Sequence, residues 1–180
     1  MSISQADYSR LRAARDAVSG IPGIGKAEIA EGGIILTLPP VQRHEQAAEQ
    51  ITEQINFQLP RTHPGYVARR DVTLECLGPH RLVSPDVLVF PGHIRPEIPS
   101  HAVLLVVEVV PAPNPQRTYR DRYRDYSAMG IPLYLIVDPR TGTGVVHSEP
   151  GYESREKFAF GDKIAVGPWT LDTSGLLTYA

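Results

Sequence analysis

The ten residues from His101 to Val110 (HAVLLVVEVV) are almost wholly apolar and rich in β-branched side chains. Apolar residues fall at both odd and even positions, so a strand here has to be covered on both faces. The run is too short to cross a membrane as a helix. It therefore predicts a central, buried strand with structure packed on either side. One residue breaks the pattern: Glu108, on the same pleat face as Leu104, Val106 and Val110. An isolated carboxylate out of water costs several kcal/mol. Either a base, a metal ion or an opening cleft offsets that cost, or the strand ends early and Glu108 is wet.

A second acid stands in similar company. Residues 84–90 (SPDVLVF) read as a short strand with Asp86 at its mouth, although Asp is a poor strand former. One reading is an Asx-turn after Pro85. The other is a carboxylate held at a sheet edge beside Glu108 on the neighbouring strand. Two carboxylates so placed suit Mg²⁺, which takes one or two of them and keeps several waters.

The rest of the chain supplies the covering layers. Helices are predicted over 4–19, over 41–59 with Pro60 ending it, and over 116–129 with Gly130 as C-terminal cap. In the second of these, His44, Ala48, Ile51, Ile55 and Leu59 share one face. Strands are expected at 27–30 and 34–38 (a hairpin turning at Glu31-Gly32-Gly33), 66–69, 72–77, 133–137 and 145–148. Short strands at 156–160, 163–166 and 169–171 follow, and 91–100 reads as a proline-rich loop. Strands and helices in this order give an α/β or α+β fold, and 180 residues is one domain by size.

Composition excludes several classes. Net charge is −2, so nucleic acid binding has to come from a local patch. The single cysteine, Cys76, rules out an intramolecular disulfide framework and a Cys-rich zinc site, and fits a reducing cytoplasm. No secretory signal and no membrane span are expected. Lysines are scarce: Lys26, Lys157 and Lys163. His63, His80, His93, His101 and His147 lack metal-ligand spacing.

The ordered set Pro85-Asp86, Glu108-Val109 at a strand end, a proline loop, a basic helix, then Tyr126, Met129-Gly130-Ile131-Pro132, Tyr134 and Val137-Asp138-Pro139 resembles the Uma-type putative restriction endonuclease family, within the PD-(D/E)XK nuclease-like superfamily. The resemblance covers roughly residues 30–150. It implies a restriction-endonuclease-like mixed sheet flanked by helices, with extra C-terminal strands. It also implies Asp86 and Glu108 as ligands of Mg²⁺ or Mn²⁺ for hydrolysis of DNA phosphodiesters. The superfamily's lysine would stand two residues after Glu108, where this chain has Val110. Aligned on Tyr126, the family's lysine falls at Arg122 and an acid one turn earlier at Thr118, so the chain departs from the pattern twice in one turn. Arg122 is either the phosphate-facing cation, on a face shared with Thr118, Tyr119 and Tyr126, or part of a solvated face laced by Arg117–Asp121, Asp121–Arg124 and Arg122–Asp125. Arg120 and Arg124 fit the solvated face. His44 is either a hydrogen-bonded core histidine or an auxiliary beside the carboxylates.

The leading expectation is a cytoplasmic, metal-dependent DNA endonuclease using Asp86, Glu108, Arg122 and His44, with a homodimer open. The alternative is a catalytically weak or inactive nuclease fold that binds DNA or protein.

Overall fold

A computed structural model describes residues 3–30, 32–112, 116–149 and 151–179, the side chains of 116–121 excepted. In chain order the elements are helix α1 (Gln5–Val18), strands β1 (Ala27–Ala30) and β2 (Gly33–Leu36), helix α2 (Gln42–Thr62), and strands β3 (Tyr66–Arg70), β4 (Leu74–Cys76), β5 (Arg81–Val83), β6 (Val87–Pro91) and β7 (Ile98–Pro99). A 3-10 turn (Ser100–Ala102) leads to strand β8 (Leu105–Val109) and helix α3 (Gln116–Ala128). Strands β9 (Leu133–Asp138), β10 (Thr143–Ser148), β11 (Ser154–Ala159), β12 (Lys163–Val166) and β13 (Trp169–Asp172) complete the set.

The main sheet has six strands in the order β11-β10-β9-β8-β6-β3. It is mixed: β8 runs parallel to β9 and antiparallel to β6. All five residues of β8 are buried, and the alternation of its side chains explains why both parities are apolar. Leu105, Val107 and Val109 pack toward α2 with Ile51, Ile55 and Leu59. Val106 joins the opposite core with Leu88, Phe90, Tyr134 and Tyr126 of α3. A second sheet, in the order β2-β1-β5-β4-β7, lies under α1, with Tyr8, Ile29 and Leu82 forming its core. The pairing of Ile29 with Leu82 sets β1 beside the strand that leads into Asp86.

Three expectations change. The central strand is shorter than the apolar run, because Val103 N–H turns back to Ser100 O (3.2 Å) and the ladder resumes only with Leu104 N–H on Val89 O (2.9 Å). Helix α2 does not end at Pro60 but continues to Thr62. The missing Pro60 N–H forfeits one bond, and His63 N–H to Leu59 O (2.8 Å) closes the last turn. The 91–100 loop contains a short edge strand, Ile98–Pro99, parallel to β4. Pro is tolerated there because an edge strand does not need every N–H. Glu31 and residues 113–115 lie outside the described residues.

Gly144 leaves no room for a side chain in the main sheet. A Cβ there would overlap the Phe158 ring and the Ile136 carbonyl. Gly144→Ala should cost about 3 kcal/mol, the upper end for overpacking, as read by chemical denaturation.

Candidate active site

The sheet topology brings Asp86 and Glu108 to the same end of two neighbouring strands. Asp86 directly precedes β6, its N–H donating to Val107 O (3.1 Å), and the β6–β8 register continues from the Val87–Val107 pair. Glu108 is the penultimate residue of β8. A third acid joins them from β1. Glu28, Asp86 and Glu108 are 1%, 4% and 3% exposed, so each needs a partner inside the protein.

Asp86 is held by three donors. Lys26 Nζ is 2.5 Å from Oδ1, Val109 N–H donates to Oδ2 (2.7 Å), and His44 Nε2 lies 3.3 Å from the same oxygen. His44 Nε2 also lies 3.0 Å from Val109 O, so this nitrogen carries the proton and is shared between two acceptors. Burial alone would raise the Asp86 carboxyl. The Lys26 ammonium and His44 outweigh it and hold Asp86 well below the usual carboxylate range. Burial opposes charge on Lys26 too, yet Asp86 and then Glu108 raise its pKa, so the amine stays an ammonium.

Glu108 turns to other partners. Its Oε1 accepts from Tyr126 OH (2.6 Å) and from Arg122 Nη1. Arg122 Nη2 reaches Glu28 Oε2 (2.5 Å), and Glu28 Oε1 accepts from Ser84 N–H (2.7 Å). One chain of contacts thus runs from the Ser84–Asp86 turn through Glu28 and Arg122 to Glu108. Burial pushes the Glu108 carboxyl up despite Arg122. Burial, then Glu108, raise the Tyr126 phenol, which therefore remains a donor.

A family model described as Uma2, putative restriction endonuclease, matches residues 8–174. The chain belongs to this family. A putative nuclease belonging to DUF820 from Anabaena variabilis ATCC 29413 shares the fold, with a TM-score of 0.68 and 16% identity over 84% of this chain and 89% of that one. No curated protein matches the sequence.

The Uma2 match reaches beyond both ends of the 30–150 stretch, and its N-terminal extension holds the two site residues that the sequence reading missed, Lys26 and Glu28. Standing two apart, they project from the same side of the chain as it enters and runs along β1. Of the two readings left open for each, the wet Glu108 and the solvated Arg122 are overturned: Glu108 is buried, and Arg122 pairs with Glu108 and Glu28 rather than with Asp125, which meets Arg81 instead (3.2 Å). His44 faces the acids rather than only the core. Val110 is buried and brings no charge. Arg124 is exposed, as a solvated face requires. The side chains of Arg117, Thr118, Tyr119, Arg120 and Asp121 lie outside the described residues. Among the described residues no helix is long and apolar enough to cross a membrane.

On the Tyr126 side of the sheet, His147 is 2% exposed, and its ring centroid lies 5.0 Å from that of Tyr123 and 5.8 Å from that of Tyr134. Burial and Arg155 push its pKa down from 6.5 to about 4. A depressed histidine adds stability above its unfolded value of about 6.5 and loses it as pH falls toward the folded value. Between about pH 6.5 and 4 this group should cost the fold on the order of 3 kcal/mol. His147→Phe keeps a ring against Tyr134 and removes the titration. The variant should lose correspondingly less stability over that range by urea denaturation; equal losses in both proteins would exclude the effect.

Proposed function

We propose that the chain is a divalent-metal-dependent nuclease that hydrolyses DNA phosphodiester bonds. The observation that carries this reading is the pair of buried carboxylates, Asp86 and Glu108, at adjoining strand ends with the Lys26 ammonium against one of them. The donors suit a hard cation: all are carboxylate oxygens, and Glu108 Oε2 accepts no hydrogen bond among the described residues. Asp86 and Glu108 would hold Mg²⁺ or Mn²⁺. When bound, such an ion supplies an acidified water and Lewis-acid stabilisation of the phosphoryl oxygens.

The protein's own groups have separate tasks. His44 and Val109 N–H fix the Asp86 carboxylate. Tyr126 fixes Glu108. Lys26, kept protonated, orients the attacking water by donation and stabilises negative charge on the phosphate, and does not act as a base. The ammonium that the superfamily places after the second acid comes in this reading from the residue before β1, against the first acid. The free Cys76 suits work in a reducing cytoplasm.

A second reading, an inactive nuclease fold that binds DNA, draws on Arg122, which already neutralises Glu108. Plasmid nicking with Mg²⁺ or Mn²⁺, against a chelated control, separates the two. Metal-dependent nicking is expected. DNA binding without nicking would leave the second reading, and neither binding nor nicking would remove both. The same ions should raise the melting temperature by mass action.

A further inference from the structure

We infer that Arg122 is a built-in counter-ion on the metal carboxylate, which competes with a divalent cation for Glu108, and that Glu28 is placed to keep Arg122 paired when the cation binds. The inference rests on the metal-dependent reading above and concerns how the ion gains access to the site.

The Arg122 guanidinium is shared between two acids. An arginine facing one carboxylate commonly binds it through two parallel N–H bonds. Arg122 instead divides its two terminal nitrogens between acids from different strands, Nη1 to Glu108 on β8 and Nη2 to Glu28 on β1. Its side chain is 12% exposed, so release from a sole partner would leave a buried charge unpaired. With a second carboxylate as partner, and Tyr126 OH accepting from Nη1 (3.2 Å), withdrawal from Glu108 leaves the Glu28 bond standing. Glu28 is itself fixed, because Ser84 N–H holds its other oxygen.

Glu108 has the matching asymmetry. Oε1 takes both Arg122 and Tyr126, while Oε2 takes no hydrogen bond among the described residues. A cation approaching Oε2 meets a carboxylate that is already half neutralised, and a positive charge close by. Arg122 therefore competes with the ion by charge, and Glu28 draws Arg122 away from Glu108. Removing either member should shift metal affinity, in opposite directions, which a merely structural role would not produce.

The test is equilibrium binding of Mn²⁺ alone to the full chain, by titration calorimetry, for wild type, Arg122→Gln, Arg122→Lys, Glu28→Gln and Glu108→Gln, with melting curves alongside. Arg122→Gln keeps amide donors but loses the charge, and should bind Mn²⁺ at least about tenfold tighter than wild type. Arg122→Lys keeps the charge and should stay near wild type. Glu28→Gln leaves Arg122 wholly to Glu108 and should bind several-fold more weakly. Glu108→Gln should lose binding. If Glu108→Gln loses binding but Arg122→Gln binds no tighter than wild type, the counter-ion inference is overturned and the nuclease reading stands. If Arg122→Gln does not fold, Glu28→Gln decides alone: an affinity equal to or above wild type overturns the inference. Mn²⁺ binding by none of the proteins would overturn the inference together with the metal-dependent reading beneath it.

Discussion

Glu108→Gln is expected to abolish metal-dependent cleavage while leaving the metal-free protein at least as stable as the wild type. The side chain is buried, and burial raises its carboxyl above the usual range even with Arg122 against it. A carboxyl raised on folding contributes stability below its unfolded value and loses that contribution as pH rises through the folded value. Glu108 therefore contributes less to the fold at neutral pH than in acid. Glutamine retains an oxygen to accept from Tyr126 and Arg122, and Arg122 keeps Glu28 as its counter-ion, so no buried charge is orphaned. Catalysis is affected in the opposite sense. Supporting residues around a metal ligand typically cost about 10–100-fold when changed, so loss of a ligand should exceed that. Plasmid nicking in Mn²⁺ measures the first effect and urea denaturation in chelator the second. If the ion raises the melting temperature of wild type and Glu108→Gln equally, Glu108 does not hold it.

Asp86, Glu108 and His44 were legible in the sequence for one reason: each puts a polar or ionisable group where the hydrophobic period calls for an apolar one. The energetic cost of that placement marks it without any knowledge of the fold. Arg122 could be placed only through the resemblance carried by Tyr126, and whether it faced the acids or the solvent stayed open. Lys26 and Glu28 carried no such mark. They flank Ala27 where the chain enters a four-residue strand of a hairpin, and alternating charge is ordinary for a surface there. Their partners lie 60 and 94 residues away, and only the pairing of β1 with β5 brings them near. The shorter central strand has a similar cause. Apolar composition alone does not show where the 3-10 turn at Ser100–Ala102 gives way to the strand, because Ala102, Val103 and Leu104 continue the apolar run ahead of Leu105. The proline loop concealed β7 because a strand held at a sheet edge needs few of its own N–H groups.

Lys26→Met should destabilise the protein by about 3 kcal/mol at neutral pH, the lower end for breaking a buried pair. The lower end applies because Lys26 is 18% exposed and because Val109 N–H and His44 still support Asp86. The pH dependence distinguishes this cost from lost packing. Asp86 is held well below the usual carboxylate range, chiefly by Lys26. It therefore adds stability above its unfolded value of about 3.9, and that contribution is lost as pH falls through the folded value. Lys26→Met moves the folded value up, so the penalty is full at neutral pH and shrinks in acid as Asp86 protonates. Asp86→Asn in the same chain removes the stranded charge and should recover most of the loss, a coupling that a double-mutant cycle reads directly. The recovered double variant should still fail to nick plasmid, because it lacks both a metal carboxylate and the ammonium. A penalty that is the same at neutral and acid pH, or one that Asp86→Asn does not relieve, would mean that Lys26 contributes its methylene stem rather than its charge. Lys26 could not then be the cation that serves the phosphate.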